Sequence, residues 1–136
     1  MAQESASSQQ LAIIGLGKMG GTIAKMCAQG PFEVIGYDSS ENAIAALGNY
    51  TKRMHITESL DELLQYKVPT ILAVKPHQIQ QVAEKINDNR LVISIAAGLG
   101  LKSLVGWRAY EGPTVRCMPN QALSVRQGVT ALVGYG

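Results

Sequence analysis

Short apolar runs alternate with longer amphipathic stretches from Leu11 onward, and this alternation is the main indication of the fold. The runs are rich in Val and Ile and do not alternate strictly with polar residues, which is typical of central strands buried on both faces. The predicted strands are Leu11–Gly15, Glu33–Tyr37, Arg53–Ile56, Thr70–Val74, Leu91–Ile95 and Thr114–Met118, with an end strand over Gly128–Tyr135.

The amphipathic stretches between these runs predict helices. They cover Met19–Gln29, Ser40–Leu47, Ser59–Tyr66, His77–Asn87 and Leu101–Trp107. Ser59 followed by Glu62 predicts a capping box at the start of the third helix. Successive strands begin about 20 residues apart, so each helix must cross back directly over the sheet in the right-handed sense. The pattern predicts a doubly wound, mostly parallel α/β sheet.

Length and composition fit one folded domain. The 136 residues are 46% hydrophobic and 16% charged, and we assign residues 1–10 to a disordered, solvated tail and residues 11–136 to the domain. The net charge of +2 comes from scattered basic residues, which argues against a nucleic-acid or membrane-surface partner. Cys27 and Cys117 have no second ligand at metal-binding spacing, so we predict no metal site and a reducing, cytoplasmic location.

The first apolar run ends in the glycine motif Gly15-Leu16-Gly17-Lys18-Met19-Gly20, directly before a predicted helix. In this context the motif predicts a dinucleotide site: the first glycine permits a tight turn, the second leaves room for the pyrophosphate, and the third allows close helix–strand packing. The amide groups at the helix start then receive the phosphates. The alternative is that the glycines only form a compact turn.

Asp38 ends the second apolar run, about 20 residues beyond the glycines. A carboxylate at this point can accept hydrogen bonds from the adenosine ribose hydroxyls and would repel a 2′-phosphate, which favours NAD(H) over NADP(H). Ser39 and Ser40 leave NADP(H) open, because hydroxyl groups at a helix start can also hold a phosphate. Asp38 as an ordinary helix N-cap is a further alternative.

Further candidates follow the fourth run. Ala73, Val74, Lys75 and Pro76 lie at the predicted carboxyl edge of the sheet, where Lys75 can neutralise a phosphate or remain a solvated surface charge. His77 comes next, and a first-turn helical His is more often structural than catalytic.

Two later loops belong to the same predicted edge. Ala96, Ala97 and Gly98 are small residues that suit close passage of a ligand, and Asn120 can donate and accept hydrogen bonds. Cys117 lies within a predicted strand, where core packing is the favoured interpretation over nucleophilic chemistry.

The motifs G-L-G-K-M-G, A-V-K-P-H, S-I-A-A-G, R-C-M-P-N and G-V-T occur in this order. Together they resemble the amino-terminal half of pyrroline-5-carboxylate reductase, over roughly Leu11 to Leu132. The glycine motif is common to many dehydrogenases, whereas V-K-P, A-A-G and M-P-N are more specific. The resemblance implies a Rossmann-type NAD(P)-binding fold, which in the complete enzyme serves the reduction of 1-pyrroline-5-carboxylate to proline, a step of proline biosynthesis.

The resemblance also implies roles for individual residues. Gly15–Gly20 would bind the pyrophosphate, Ala73–Pro76 and Ala96–Gly98 would line the nicotinamide half, and Asn120 would border the reaction cleft. The family generally continues M-P-N with Thr-Pro, whereas this chain has Gln121-Ala122, which puts substrate contact through that loop in doubt.

The implied reaction is hydride transfer from C4 of the nicotinamide to the carbon of a C=N bond, and no residue of this chain is assigned as the general acid. The family continues into a helical domain that supplies substrate contacts and most of the dimer interface, whereas this sequence ends at Gly136. The expectation is a chain that binds cofactor, turns over poorly or not at all alone, and is a monomer or weak homo-oligomer. The alternatives are a reductase of a different imine or hydroxyacid and a non-catalytic nucleotide-binding module.

Overall fold

The chain folds as a layered α/β structure, seen here in a computed structural model that describes residues 9–96, 98, 100–109, 112–118 and 131–135. Its described strands are β1 (Gln9–Ile14), β2 (Phe32–Tyr37), β3 (Met54–Ile56), β4 (Thr70–Leu72), β5 (Val92–Ser94), β6 (Thr114–Met118) and β7 (Ala131–Tyr135). They form one sheet in the order β3-β2-β1-β4-β5-β6-β7. Neighbours from β3 to β6 pair in parallel and β7 pairs antiparallel with β6, which confirms the doubly wound, mostly parallel sheet.

The helices lie between successive strands. They are α1 (Lys18–Gln29), α2 (Glu41–Ala45), α3 (Leu60–Leu64), α4 (Pro76–Ala83) and α5 (Leu101–Trp107). A 3₁₀ helix over Gly48–Arg53 follows α2 and was not predicted. Among the described helices, none has the length and apolar character needed to cross a membrane.

Several boundaries differ from the sequence prediction. The assignment of residues 1–10 to a tail is wrong at its end, because Gln9 and Gln10 pair with Phe32 and Glu33 at the start of the sheet. Both glutamines are polar and exposed, so they give no hydrophobic signal. Backbone pairing and a hydrogen bond from the Gln10 side chain to the Glu33 carboxylate extend the strand. Strand β4 ends at Leu72 rather than at the predicted Val74, which leaves Ala73 and Val74 in the following loop.

Strand β1 lies inside the sheet, between β2 and β4, and is buried on both faces. Ala12 and Ile14 pack in the apolar layer under α3 and α4, whereas Leu11 and Ile13 pack in the layer under α1. Burial on both faces explains why this strand is a continuous apolar run rather than an alternating one.

The start of α3 carries a cap close to the predicted one. The Ser59 hydroxyl accepts the Glu62 N–H at 3.1 Å, as predicted for an N-cap. The Glu62 carboxylate accepts the N–H of Glu58 at 3.0 Å rather than that of Ser59, so the reciprocal half of the capping box is displaced by one residue.

Two buried arginines hold the amino ends of β4, β5 and β6 together. Arg90 forms 2.8 Å hydrogen bonds with both oxygens of Asp88 and also donates to Leu64 O and to the Thr70 hydroxyl. Arg108 donates to four oxygens in the segments just before and at the start of β5 and β6, including Arg90 O at 2.9 Å. Neither arginine was predicted from the sequence as buried, because a lone arginine between apolar runs has no signature of burial.

The Asp88–Arg90 pair makes the free energy of unfolding depend on pH in the acid range. Hydrogen bonds from Arg90 lower the pKa of Asp88 from 3.8 to about 2. The stabilisation is therefore fully present above pH 3.8 and is lost as the pH falls toward 2, because the folded state resists protonation. We expect this contribution to the free energy of unfolding to be about 1–2 kcal/mol, measured by urea unfolding of the wild-type chain and Asp88→Asn over this pH range.

Asp61→Asn is the matched control, because the Asp61 carboxylate forms only an exposed 3.8 Å ion pair with Lys85. Its profile should follow the wild-type profile. Wild-type and Asp88→Asn profiles that run parallel through the acid range would contradict the role of the pair.

Candidate functional site

A cleft of about 530 Å³ lies at the carboxyl edge of the sheet, beside the ends of β1 and β4. The strands β2 and β3 lie on one side of β1, and β4 to β6 lie on the other, so the winding of the chain reverses at this point. Ligands of open α/β sheets bind at such a reversal. The turn before α1, the turn after β2 and the segment from β4 into α4 form the walls of the cleft.

Two glycines are required by the packing of the β1–α1 turn. Gly15 has a φ of +100°, and a Cβ there would lie 2.7 Å from the carbonyl carbon of Ala73. A Cβ on Gly20 would lie 2.0 Å from Gly15 O and 2.8 Å from the Ala73 side chain. The turn and the first part of α1 therefore approach the end of β4 more closely than any larger residue allows.

Gly17 has a different environment, because a Cβ at this position would meet nothing within 4 Å. Its carbonyl accepts the N–H of Gly21, so the amide groups of Lys18, Met19 and Gly20 precede the first hydrogen bond within α1. Open space beside free amide groups at a helix start fits a pyrophosphate, both sterically and electrostatically. The residues present therefore fit a dinucleotide.

Asp38 connects the two loops that border this space. Its Oδ2 accepts the N–H of Leu16 at 2.7 Å, and its Oδ1 accepts the N–H of Ser40 at 2.8 Å. The Ser40 hydroxyl accepts the N–H of Ala43 and thereby caps α2. Ser40 is therefore the N-cap of α2, and the alternative that Asp38 is the N-cap is wrong.

The opposite wall is formed where β4 leads into α4. Lys75 is exposed at the cleft, and its N–H donates to the Gln78 side chain at 3.2 Å. Pro76 occupies the first position of α4, where the missing amide hydrogen costs nothing.

Most of the predicted cofactor-binding residues lie together around this cleft. Those that line it are Gly15, Gly17, Lys18, Met19, Gly20, Asp38, Ser39, Ala73, Val74 and Lys75.

Other predicted residues lie away from the cleft lining. Leu16 is 2% exposed, and its side chain packs in the core beneath the turn. Pro76 is exposed outside the lining, Ala96 is buried in the core, and Gly98 is exposed with a φ of +76°. Ala97 and Asn120 lie outside the described residues.

The described histidine and cysteine candidates do not lie at the cleft. His77 is exposed and lies outside the cleft lining. Burial raises the pKa of the Cys117 thiol and keeps it protonated, as it does for Cys27. In the part of the chain that the structure describes, no group of three or more His, Cys, Asp or Glu residues could hold a metal ion.

A second set of lining residues was not predicted from the sequence; it comes from several elements and makes the cleft partly apolar. They are Ile14, Tyr37, Ala43, Leu60, Gln78, Gln81 and Val82. The spacing of Gln78, Gln81 and Val82, three and four residues apart on one helix, was the available signal that they share a face.

The sheet order, the glycine turn and the cleft define a Rossmann-type domain whose cleft fits a dinucleotide. The chain belongs to the family described as NADP oxidoreductase coenzyme F420-dependent, whose profile matches residues 10–98.

Individual relatives confirm the resemblance to pyrroline-5-carboxylate reductase. The pyrroline-5-carboxylate reductase of Pseudomonas aeruginosa is 31% identical over 134 residues, which cover 93% of this chain and 48% of that protein. A solved 1-pyrroline-5-carboxylate reductase from Streptococcus pyogenes is 29% identical with a TM-score of 0.81, over 96% of this chain and 50% of that one. The Plasmodium falciparum pyrroline carboxylate reductase, solved with NADP bound, is 25% identical with a TM-score of 0.79, over 95% of this chain and 49% of that one. The chain spans about half the length of these relatives.

Substitution of Gly20 and of Gly17 should have different effects. Gly20→Ala should destabilise the fold strongly, because the new Cβ would overlap Gly15 O. Gly17→Ala should cost less than about 1 kcal/mol of stability, as an N-cap change, yet weaken NADH binding at least about tenfold by occupying the phosphate space. Thermal unfolding and NADH fluorescence titration of both variants measure the two effects.

Gly48→Ala serves as a control for the loss of a glycine away from the cleft, since Gly48 has a φ of +61° and open surroundings. It should lose some stability and keep NADH affinity. Unchanged NADH affinity in a folded Gly17→Ala chain would rule out the phosphate role of this turn.

Proposed function

We propose that this chain supplies the NAD(H)-binding part of a reductase that transfers a hydride to the C=N bond of 1-pyrroline-5-carboxylate and forms proline. The observation that carries the cofactor assignment is the cleft at the switch of the sheet, where the open Gly17 turn and Asp38 lie on one surface. The substrate assignment is supported by relatives that are named for this reaction.

The residues of the chain have binding and positioning roles in this proposal. The amide groups at the start of α1 receive the pyrophosphate, and Lys75 adds a positive charge at the same cleft. The apolar side chains of Leu60 and Val82 pack beside the space for the adenosine half. Ala73–Pro76 and Ala96–Gly98 stay predictions for the nicotinamide half, and Asn120 stays a prediction for the reaction cleft.

When bound, the reduced nicotinamide ring supplies the hydride. A protonated imine accepts a hydride more readily than a neutral one, so the chain contributes mainly by holding the reactants in one orientation. No residue is assigned as the general acid.

We propose a preference for NAD(H) over NADP(H). Asp38 lies in the cleft, and two backbone amide groups hold its carboxylate in place, so it cannot rotate freely away from a 2′-phosphate. Lys18 and Ser39 line the same cleft and are the residues that favour NADP(H). Because a fixed carboxylate directly repels the phosphate, we expect its effect to exceed that of an exposed lysine.

Titration of the purified chain with NADH and NADPH, followed by nicotinamide fluorescence, tests both parts of the cofactor proposal. We expect NADH to bind about tenfold more tightly than NADPH, a difference of about 1.4 kcal/mol. Lys18→Gln should weaken NADPH binding more than NADH binding. Tighter binding of NADPH than of NADH by the wild-type chain would reverse the proposed preference. If neither cofactor binds, the glycine motif only forms a compact turn.

The reaction is tested by adding 1-pyrroline-5-carboxylate to the NADH complex and quantifying both NADH oxidised and proline formed. We expect equal amounts of both, at a low rate, since the chain spans about half the length of its relatives. Oxidation with another cyclic imine or a keto acid, but not with pyrroline-5-carboxylate, would move the assignment to a different reductase. Binding without oxidation by any of them, together with a specific partner chain recovered from the source, would indicate a nucleotide-binding module.

Location and association stay predictions from the sequence: the cytoplasm, and a monomer or weak homo-oligomer. Light scattering of the purified chain measures the second.

A further inference from the structure

We propose that Asp38 is a positioning residue for the glycine turn, in addition to any contact it makes with a ribose. Its carboxylate fixes the turn before α1 against the turn before α2, and so shapes the space that receives the phosphates. This inference rests on the proposed function in one respect, which is that the turn binds a dinucleotide.

The geometry of the two hydrogen bonds supports this role. The two oxygens of one carboxylate accept N–H groups from separate loops, Leu16 at 2.7 Å and Ser40 at 2.8 Å. Leu16 and Asp38 are 22 residues apart in the chain, so the first bond is a tertiary contact rather than a local turn. Hydrogen bonds to an ionised acceptor are among the stronger ones in proteins.

The surroundings of Leu16 place this bond next to the phosphate space. The N–H of Gly15 donates to Tyr37 O at 2.8 Å, and the bond from Leu16 continues this connection between the turn and the end of β2. The Leu16 side chain packs beside Gly36, where a Cβ would lie 3.3 Å from it. Gly17 follows directly and is exposed. The bond to Asp38 therefore anchors the turn directly before its open part at Gly17.

The same carboxylate can still bind a ribose. An ionised carboxylate offers about four acceptor positions, and the backbone amide groups use two of them. An asparagine offers a single oxygen, so Asp38→Asn can keep one backbone bond but not both.

This arrangement has a consequence for cofactor preference. If the carboxylate only repelled a 2′-phosphate, its removal would improve NADPH binding. Because its removal also releases the glycine turn, we expect Asp38→Ala to lose affinity for NADH without gaining affinity for NADPH.

The decisive ligand is 2′,3′-dideoxyadenosine diphosphate, which keeps the phosphates and lacks the ribose hydroxyls that Asp38 would bind directly. Removing a negative charge near an anionic ligand tightens binding by itself. We nevertheless expect Asp38→Ala to bind this ligand about tenfold more weakly, with Asp38→Asn in between, as measured by calorimetry at a temperature where all variants are folded. Glu41→Gln removes a nearby charge at the exposed start of α2 and should keep or slightly raise the affinity.

Amide hydrogen exchange without any ligand provides a second readout. The Leu16 amide should exchange at least about tenfold faster in Asp38→Ala than in the wild-type chain, while amides of β5 keep their protection. A merely global destabilisation would accelerate both.

The outcomes separate this inference from the proposed function. Wild-type chain that binds NADH and the dideoxy ligand, together with unchanged dideoxy-ligand affinity and unchanged Leu16 exchange in Asp38→Ala, would overturn the positioning role alone. Wild-type chain that binds neither the dideoxy ligand nor NADH would overturn the proposed function, and faster Leu16 exchange in the variant would then still support the link between the two turns.

Discussion

The close approach of the β1–α1 turn to the end of β4 is the constraint on which the site depends. Gly15 and Gly20 leave no room for a side chain between this turn and Ala73, so α1 begins directly against the central strands. The approach aims the start of α1 at the carboxyl edge of the sheet, where the winding of the chain reverses. The open space at Gly17 then lies beside amide groups that have no partner within the helix. Gly15 and Gly20 thus fix the packing of this turn, and Gly17 leaves open the space for the ligand.

The charged side chains at the two edges of the sheet differ in burial. At the amino edge, Arg90 and Arg108 are buried and donate hydrogen bonds to Asp88, to two threonine hydroxyls and to backbone carbonyls. These bonds tie adjacent strand starts together. At the carboxyl edge, Lys18 and Lys75 remain exposed around the cleft. The buried charges therefore stabilise the fold, and the exposed charges remain available to an anionic ligand.

Much of the fold was predictable because its signals are local. The apolar run of β1, the glycine turn and the Ser59 cap each depend on a few consecutive residues and were found where expected. The cleft was predictable in outline, because parallel strands bring their carboxyl ends to one edge.

The remaining features depend on tertiary contacts. Arg90 and Ala96 are buried by residues that are distant in sequence. The hydrogen bond from Leu16 to Asp38 also joins distant residues. Asp38 was recognised as a site residue from its place after β2, whereas its backbone partners have no sequence signal.

The most direct test of this account is a heteronuclear NMR titration of the labelled chain with NADH. The account predicts that the amide signals of Gly17, Lys18, Ser39 and Lys75 shift together with one affinity, while those of Asp88 and Arg90 at the opposite edge stay in place. Shifts centred on the Asp88 and Arg90 edge, or none at saturating NADH, would contradict the claim that this cleft binds the dinucleotide.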